Sequence, residues 1–186
     1  LTGFKYIGEQ IGLLEKAGEE KRYLFGFEES YGYLTGTYVR DKDGVDGAVM
    51  ICEMFSFYAA RGIRLTDQLA KLYERYGYCR NTLHSYQFEG SAGFAKMQGI
   101  MAAFRQGIST FGGKAVEKVL DYSAGLDGLP KADVLKFYLD GGTTLVVRPS
   151  GTEPKLKLYL SVTAKDEAEA ARIEQAILND AEVYFR

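Results

Sequence analysis

The segment from Thr144 to Val162 constrains the fold more than any other. Thr144-Leu145-Val146-Val147 is a β-branched, apolar run, and Lys155-Leu156-Lys157-Leu158-Tyr159-Leu160-Ser161-Val162 alternates polar and apolar residues. A period of two sends one set of side chains to a core face and the other to an open face, as in a half-buried strand. Between the runs, Arg148 to Lys155 supplies a guanidinium, two hydroxyls, a glycine and an ammonium. Small residues let backbone N–H groups converge on an anion, hydroxyls add donors, and Arg148 can grip phosphate oxygens as a fork. A solvated hairpin turn uses the same residue types, so the loop alone leaves both readings open.

At 186 residues the chain is large for one domain and small for two, since domains usually run to roughly 100–150 residues. Hydrophobic residues make up 46% and aromatic residues 13%, which favours a real core over disorder. The net charge of −2 and a pI near 5.6 argue against nucleic acid or an anionic membrane as partner. Cys52 and Cys79 form no CxxC pair and read as buried thiols of a reducing cytoplasm. The longest apolar run, Ala48 to Ala60, contains Glu53 and is too short to span a bilayer. The chain opens at Leu1, directly in Thr2-Gly3-Phe4-Lys5, and is expected to be a fragment of a longer protein.

Residues 5–17 predict a helix with Tyr6, Ile7, Ile11 and Leu14 on one side and Gly18 as its stop. Arg22 to Phe27 predicts a short buried strand ending in Glu28-Glu29-Ser30-Tyr31-Gly32, polar groups at the kind of strand end where α/β sheets place ligands. A bare acidic turn accounts for that pentapeptide equally; as a site, its carboxylate would accept from two sugar hydroxyls. Asp41-Lys42-Asp43-Gly44-Val45-Asp46 opens like a calcium loop, but Val45, Asp46 and Cys52 occupy positions that such a loop reserves for other residues. Asp46 is instead expected to cap a helix running through Met50, Met54 and Phe57 to Gly62. That helix is apolar nearly all round, which predicts a central position in its domain. Thr66 is expected to cap the next helix, with Leu69, Leu72 and Tyr73 facing inward.

A shift in composition at Phe88 to Gly93 marks the expected boundary, giving domains 1–89 and 90–186. Beyond it Phe94, Met97, Met101 and Phe104 recur at helical spacing, and Gly107 closes the segment. Lys114 to Tyr122 and Val134 to Leu139 predict strands, and Asp166 with Glu169 opens the last helix in the manner of a capping box. The expected fold is an α/β domain followed by an α+β domain, an antiparallel sheet with helices on one face.

Three motifs occur in one order: Thr2-Gly3-Phe4-Lys5; Phe27-Glu28-Glu29-Ser30-Tyr31-Gly32 with Asp41-Lys42-Asp43-Gly44 after it; and Arg148-Pro149-Ser150-Gly151-Thr152-Glu153-Pro154. Together they resemble the C-terminal half of the α-D-phosphohexomutases, the phosphoglucomutases and phosphomannomutases, across essentially the whole chain. The resemblance implies part of the family's third domain, carrying the sugar-binding loop, and all of its fourth, whose fold is similar to that of the TATA-binding protein. By the same resemblance Glu28 and Ser30 contact sugar hydroxyls, and Thr2 and Gly3 lie on a turn that touches substrate. Arg148, Ser150, Gly151 and Thr152, with Lys155 beside them, hold the non-reacting phosphate. Lys42 is the acid/base or phosphate-contact candidate, although a pairing with Asp41 or Asp43 on a turn would equally explain it. His84 lies outside the motifs and is expected at a surface or between domains.

The implied reaction interconverts hexose 1-phosphate and hexose 6-phosphate through a bisphosphate. It uses a phosphoserine and a Mg²⁺ loop of the first two family domains, neither of which is matched here. The implied partners are a hexose phosphate and the missing N-terminal domains, and the implied cofactors of the complete enzyme are Mg²⁺ and glucose 1,6-bisphosphate. None of these cofactors is expected on this chain's own residues, and the chain alone is expected to be inactive. Glu-Glu-Ser-Tyr-Gly is closer to the glucomutase and phosphopentomutase branches than to bifunctional mannomutases. Phosphomannomutase, phosphopentomutase and a non-catalytic sugar-phosphate module remain alternatives.

Overall fold

Helix α1 (Lys5–Lys16) follows the predicted spacing and buries Ile11 in a small cluster with Phe4 and Leu34, flanked by Ile7 and Tyr23. The structure, a computed structural model, describes residues 3–151 and 153–185. Thr2 and Thr152, both expected to contact substrate, lie outside the described residues. The chain divides into two units, residues 1–70 and 71–186.

After a 3-10 turn at Glu20–Arg22, β1 (Gly26–Phe27) pairs antiparallel with β2 (Tyr33–Leu34). The buried strand expected over residues 22–27 is therefore reduced to two residues, and Leu24, Phe25 and Phe27 are exposed. A strand needs a partner along its length, and β1 pairs with β2 over two residues only.

Helix α2 (Gly44–Ala59) is capped by Asp43, whose carboxylate accepts from the amides of Val45 (2.8 Å) and Asp46 (3.1 Å). Asp46, the expected cap, instead accepts from the amide and the hydroxyl of Thr35 at 2.7 and 2.6 Å, tying the start of α2 to the residue after β2. The expectation that α2 is central is also corrected. Of its residues only Gly47 is buried, while Val45, Val49, Ile51, Met54, Phe55 and Phe57 are exposed. Two strands of two residues offer too little surface to cover a helix that is apolar all round. Helix α3 (Leu65–Tyr76) begins one residue before Thr66, which is thus inside the helix, and Leu69 and Leu72 are exposed.

The second unit is built on β3 (Tyr78–Gln87), α4 (Gly90–Arg105), β4 (Thr110–Phe111), β5 (Lys114–Asp121), β6 (Leu135–Leu139), β7 (Thr143–Pro149), β8 (Lys155–Ala164) and α5 (Glu167–Glu182). The strands form one antiparallel sheet in the order β3-β8-β7-β6-β5-β4. Alternation decides its faces. Leu135, Phe137, Leu139, Leu145, Val147, Leu156, Leu158, Leu160 and Val162 share one core with Met97, Ile100, Met101 and Phe104 of α4 and Ala170, Ile177, Leu178 and Ala181 of α5. Both helices cover the same face. Asp166 accepts from the amide of Glu169 at 2.8 Å and so caps α5. Glu169 in turn accepts from the amide of Lys165 at 3.0 Å.

Strand β3, on the first side of the expected boundary at residue 89, pairs with β8 from Tyr78↔Ala164 to Gln87↔Lys155. The polar run at Glu89-Gly90 is the turn from β3 into α4. His84, expected at a surface or between domains, sits half-buried within this unit. Its Nε2 lies 2.9 Å from Glu174 of α5 and 3.1 Å from Thr82. Arg80 donates to the other oxygen of Glu174 at 2.6 Å. Both cysteines, expected to be buried, are exposed. Cys52 lies on uncovered α2, and Cys79 falls on the open face of the edge strand, opposite Thr163.

Candidate functional site

The hairpin between β1 and β2 carries Glu28-Glu29-Ser30-Tyr31-Gly32, closed by the amide of Glu28 donating to the carbonyl of Gly32 at 3.0 Å. Tyr31 stands at φ 65° with an exposed ring, a left-handed conformation that is uncommon for a bulky residue and concentrates in functional loops. The Glu28 side chain is 14% exposed and faces Lys42, whose Nζ is 3.8 Å from Oε1 of Glu28. Lys42 also reaches Oδ1 of Asp41 at 3.2 Å and lies 5.9 Å from the ring centroid of Phe4. Two expected site residues, Glu28 and Lys42, therefore meet, and Gly3 lies one residue before the ring beside them. Gly3, at φ 122°, occupies backbone space that a side chain would strain. Ser30 is exposed near the hairpin tip.

The Lys42 amide, and after it the Lys42 ammonium, hold the Asp41 carboxyl below the ordinary carboxylate range. Lys42 thus stands between two carboxylates, one exposed and one largely enclosed. A carboxylate beside an ammonium offers acceptors for vicinal hydroxyls and a donor for a hydroxyl or phosphate oxygen.

In the second unit Arg148 and Pro149 end β7, and Lys155 begins β8. The amide of Ser150 donates to the carbonyl of Lys155 at 2.7 Å, and the amide of Lys155 donates to the carbonyl of Glu153 at 2.7 Å. These two bonds close the loop. The carbonyl of Pro154 accepts from the amide of Phe88 at 2.8 Å, which anchors the loop to the end of β3. A Cβ on Gly151 would meet nothing within 4 Å, leaving its backbone approachable. Lys155 Nζ pairs with Glu153 at 3.2 Å.

Lys157 is not among the residues expected at this loop from the sequence. The register sets Arg148 directly opposite Lys157, and both fall on the sheet face away from α4 and α5, as does Lys155 two positions earlier. Three cations thus share the loop end of one sheet face, an arrangement suited to an anion with several oxygens. The alternation of Lys155, Lys157 and Tyr159 carried half of this signal; the other half is the pairing of β7 with β8.

Residues 1–76 match the model of the phosphoglucomutase/phosphomannomutase alpha/beta/alpha domain III, and residues 88–180 match that of the phosphoglucomutase/phosphomannomutase C-terminal domain. A phosphoglucomutase of Staphylococcus epidermidis is 38% identical over 196 residues, covering 96% of this chain and 34% of that protein. One from Staphylococcus aureus is 36% identical over 191 residues, with the same coverage of 96% and 34%. The chain thus spans about a third of the length of the curated relatives it matches. The open form of the Paramecium phosphoprotein pp63/parafusin, a phosphoglucomutase, superposes with a TM-score of 0.63 at 20% identity, over 98% of this chain and 33% of that one, a likeness of fold. With both segments matched in the order that its motifs follow, the chain belongs to the phosphoglucomutase/phosphomannomutase family.

Proposed function

We propose that this chain is the substrate-binding C-terminal half of a phosphoglucomutase-type enzyme that interconverts hexose 1-phosphate and hexose 6-phosphate through a bisphosphate intermediate. The observation that carries this reading is the Glu28–Lys42 pair, 3.8 Å apart, in the segment matched to domain III. The cations Arg148, Lys155 and Lys157 at the loop of the C-terminal domain support it.

Glu28 accepts hydrogen bonds from adjacent sugar hydroxyls, and Lys42 donates to a hydroxyl or phosphate oxygen. Ser30 adds a polar contact at the hairpin, and Gly3, with Thr2 before it, supplies approachable backbone. Arg148 forks the non-reacting phosphate, with Ser150, Gly151, Thr152 and Lys155 as its loop partners and Lys157 as a further cation. Such groups bind and orient either end of a bisphosphate without taking part in bond cleavage, so a substrate that turns over meets the same donors twice.

The phosphoserine and the Mg²⁺ loop of this cytoplasmic enzyme belong to domains of the full-length protein beyond these residues, and the chain alone is inactive. Among the described residues no three His, Cys, Asp or Glu side chains are grouped to hold a metal ion. The uncovered apolar surface of α2 supports a larger domain around the first unit.

Nuclear magnetic resonance titration of the chain with glucose 1-phosphate, and with inorganic phosphate as control, tests the reading. Residues 148–157 are expected to shift with both ligands, and residues 28–32 and Lys42 with the sugar phosphate alone. Identical shifts with both ligands would remove the sugar assignment. No shift in the full-length enzyme at millimolar ligand would remove the whole reading.

A further inference from the structure

Gly32 carries a constraint that its backbone does not explain. Its φ is not among the positive values, so another residue could adopt its conformation. Space is what excludes one. A Cβ built on Gly32 would lie 2.6 Å from Oε1 of Glu28, 2.9 Å from Cγ of Glu28 and 2.7 Å from Cδ of Lys42. All three are closer than carbon and oxygen atoms tolerate, and all three belong to the two side chains that form the sugar-recognising pair. The Lys42 stem therefore crosses the place where a side chain at position 32 would stand.

We propose that Gly32 is a positioning residue: its missing side chain is the slot that lets Lys42 lie against Glu28. This inference rests on the reading of Glu28 and Lys42 as substrate contacts. Lys42 has a second carboxylate within reach, Asp41 at 3.2 Å against Glu28 at 3.8 Å. A methyl group at position 32 pushes the Lys42 stem away, and the ammonium keeps a salt bridge by remaining with Asp41. The same methyl group crowds Oε1 and Cγ of Glu28, so the carboxylate turns as well and the pair parts from both sides. Because the crowded atoms are side-chain atoms that can swing aside, Gly32→Ala folds; what changes is the geometry of the pair.

The test uses the full-length enzyme and a mutant cycle on glucose 1-phosphate turnover over positions 28, 32 and 42. Displacing a substrate-orienting group by about an ångström lowers kcat/KM by roughly 10- to 100-fold, and Gly32→Ala is expected to fall in that range, with KM raised. Since Gly32 acts through the Glu28–Lys42 pair, adding Gly32→Ala to Glu28→Ala/Lys42→Ala is expected to cost no further activity. A crystal structure of Gly32→Ala is expected to show Lys42 turned to Asp41. Unchanged kinetics for Gly32→Ala, a further loss in the triple variant, or a Lys42 still against Glu28 would each overturn the proposal. Should Gly32→Ala fail to fold, the side chains do not yield as argued, and the proposal also falls. The underlying reading fails separately, if Glu28→Ala and Lys42→Ala both leave turnover unchanged.

Discussion

Glu174→Ala is the perturbation whose consequence can be worked furthest from the structure. The Glu174 side chain is 9% exposed on α5 and joins Arg80 and His84 of β3, whose side chains are 34% and 29% exposed. Removing one partner of a fully buried ion pair costs about 3–5 kcal/mol. Arg80 keeps access to water and has Glu167 at 4.0 Å, so the cost here falls to about 2 kcal/mol. For a unit of this size that corresponds to roughly 8 °C in Tm. Hydrogen exchange at the amides of β3 and α5, followed through a urea series, reads this unit without interference from the first. The acid limb gives a second readout. Burial pushes the Glu174 carboxyl pKa up, but hydrogen bonds from Thr82, His84 and Arg80 outweigh it and leave the value below the ordinary 4.5. A folded value below the unfolded one contributes stability that is full above the unfolded pKa and is lost as pH falls through the folded pKa. Glu174→Gln is therefore expected to flatten the loss of stability below about pH 4.5. A Glu174→Ala protein within about 0.5 kcal/mol of the parent, the range of ordinary surface substitutions, would refute the argument.

Gly112 and Gly113 link β4 to β5 with φ of 58° and 75°, but only at Gly112 would a Cβ meet the backbone of α5, 2.8 Å from the Ile177 amide nitrogen. Gly113→Ala is expected to cost roughly 1 kcal/mol for the left-handed conformation alone, and Gly112→Ala about 3 kcal/mol once crowding is added; equal urea midpoints would refute this. The hydrogen bond from Tyr38 to Asp43 holds the phenol pKa up at about 12, so an ultraviolet titration against Tyr38→Phe should find one tyrosine ionising there in the parent and nearer 10.0 in Asp43→Asn. Cys52 and Cys79 are both exposed, and both are expected to react with a thiol reagent in the native chain; protection of either would contradict its placement.

Much of the second unit was legible because its signals are local. The alternation in β8, the helical spacing of Met97, Met101 and Phe104, and the Asp166 cap each follow from a few neighbouring residues. The first unit read less well for the opposite reason. Arg22 to Phe27 has strand composition, but a strand needs a partner, and it finds one over two residues only. Asp43 and Asp46 are both competent caps; Thr35, distant in sequence, takes Asp46 and leaves Asp43 to cap α2.

By itself, then, the sequence determined the α+β character of the second unit and the family, since these rest on period, capping chemistry and ordered motifs. Tertiary structure alone decided that Glu28 meets Lys42 across the slot at Gly32, that Lys157 stands beside Arg148, and that His84 joins Arg80 at Glu174. Each of these depends on how separate segments pair or pack. Residue type and spacing along the chain do not encode the distance between side chains that only folding brings together.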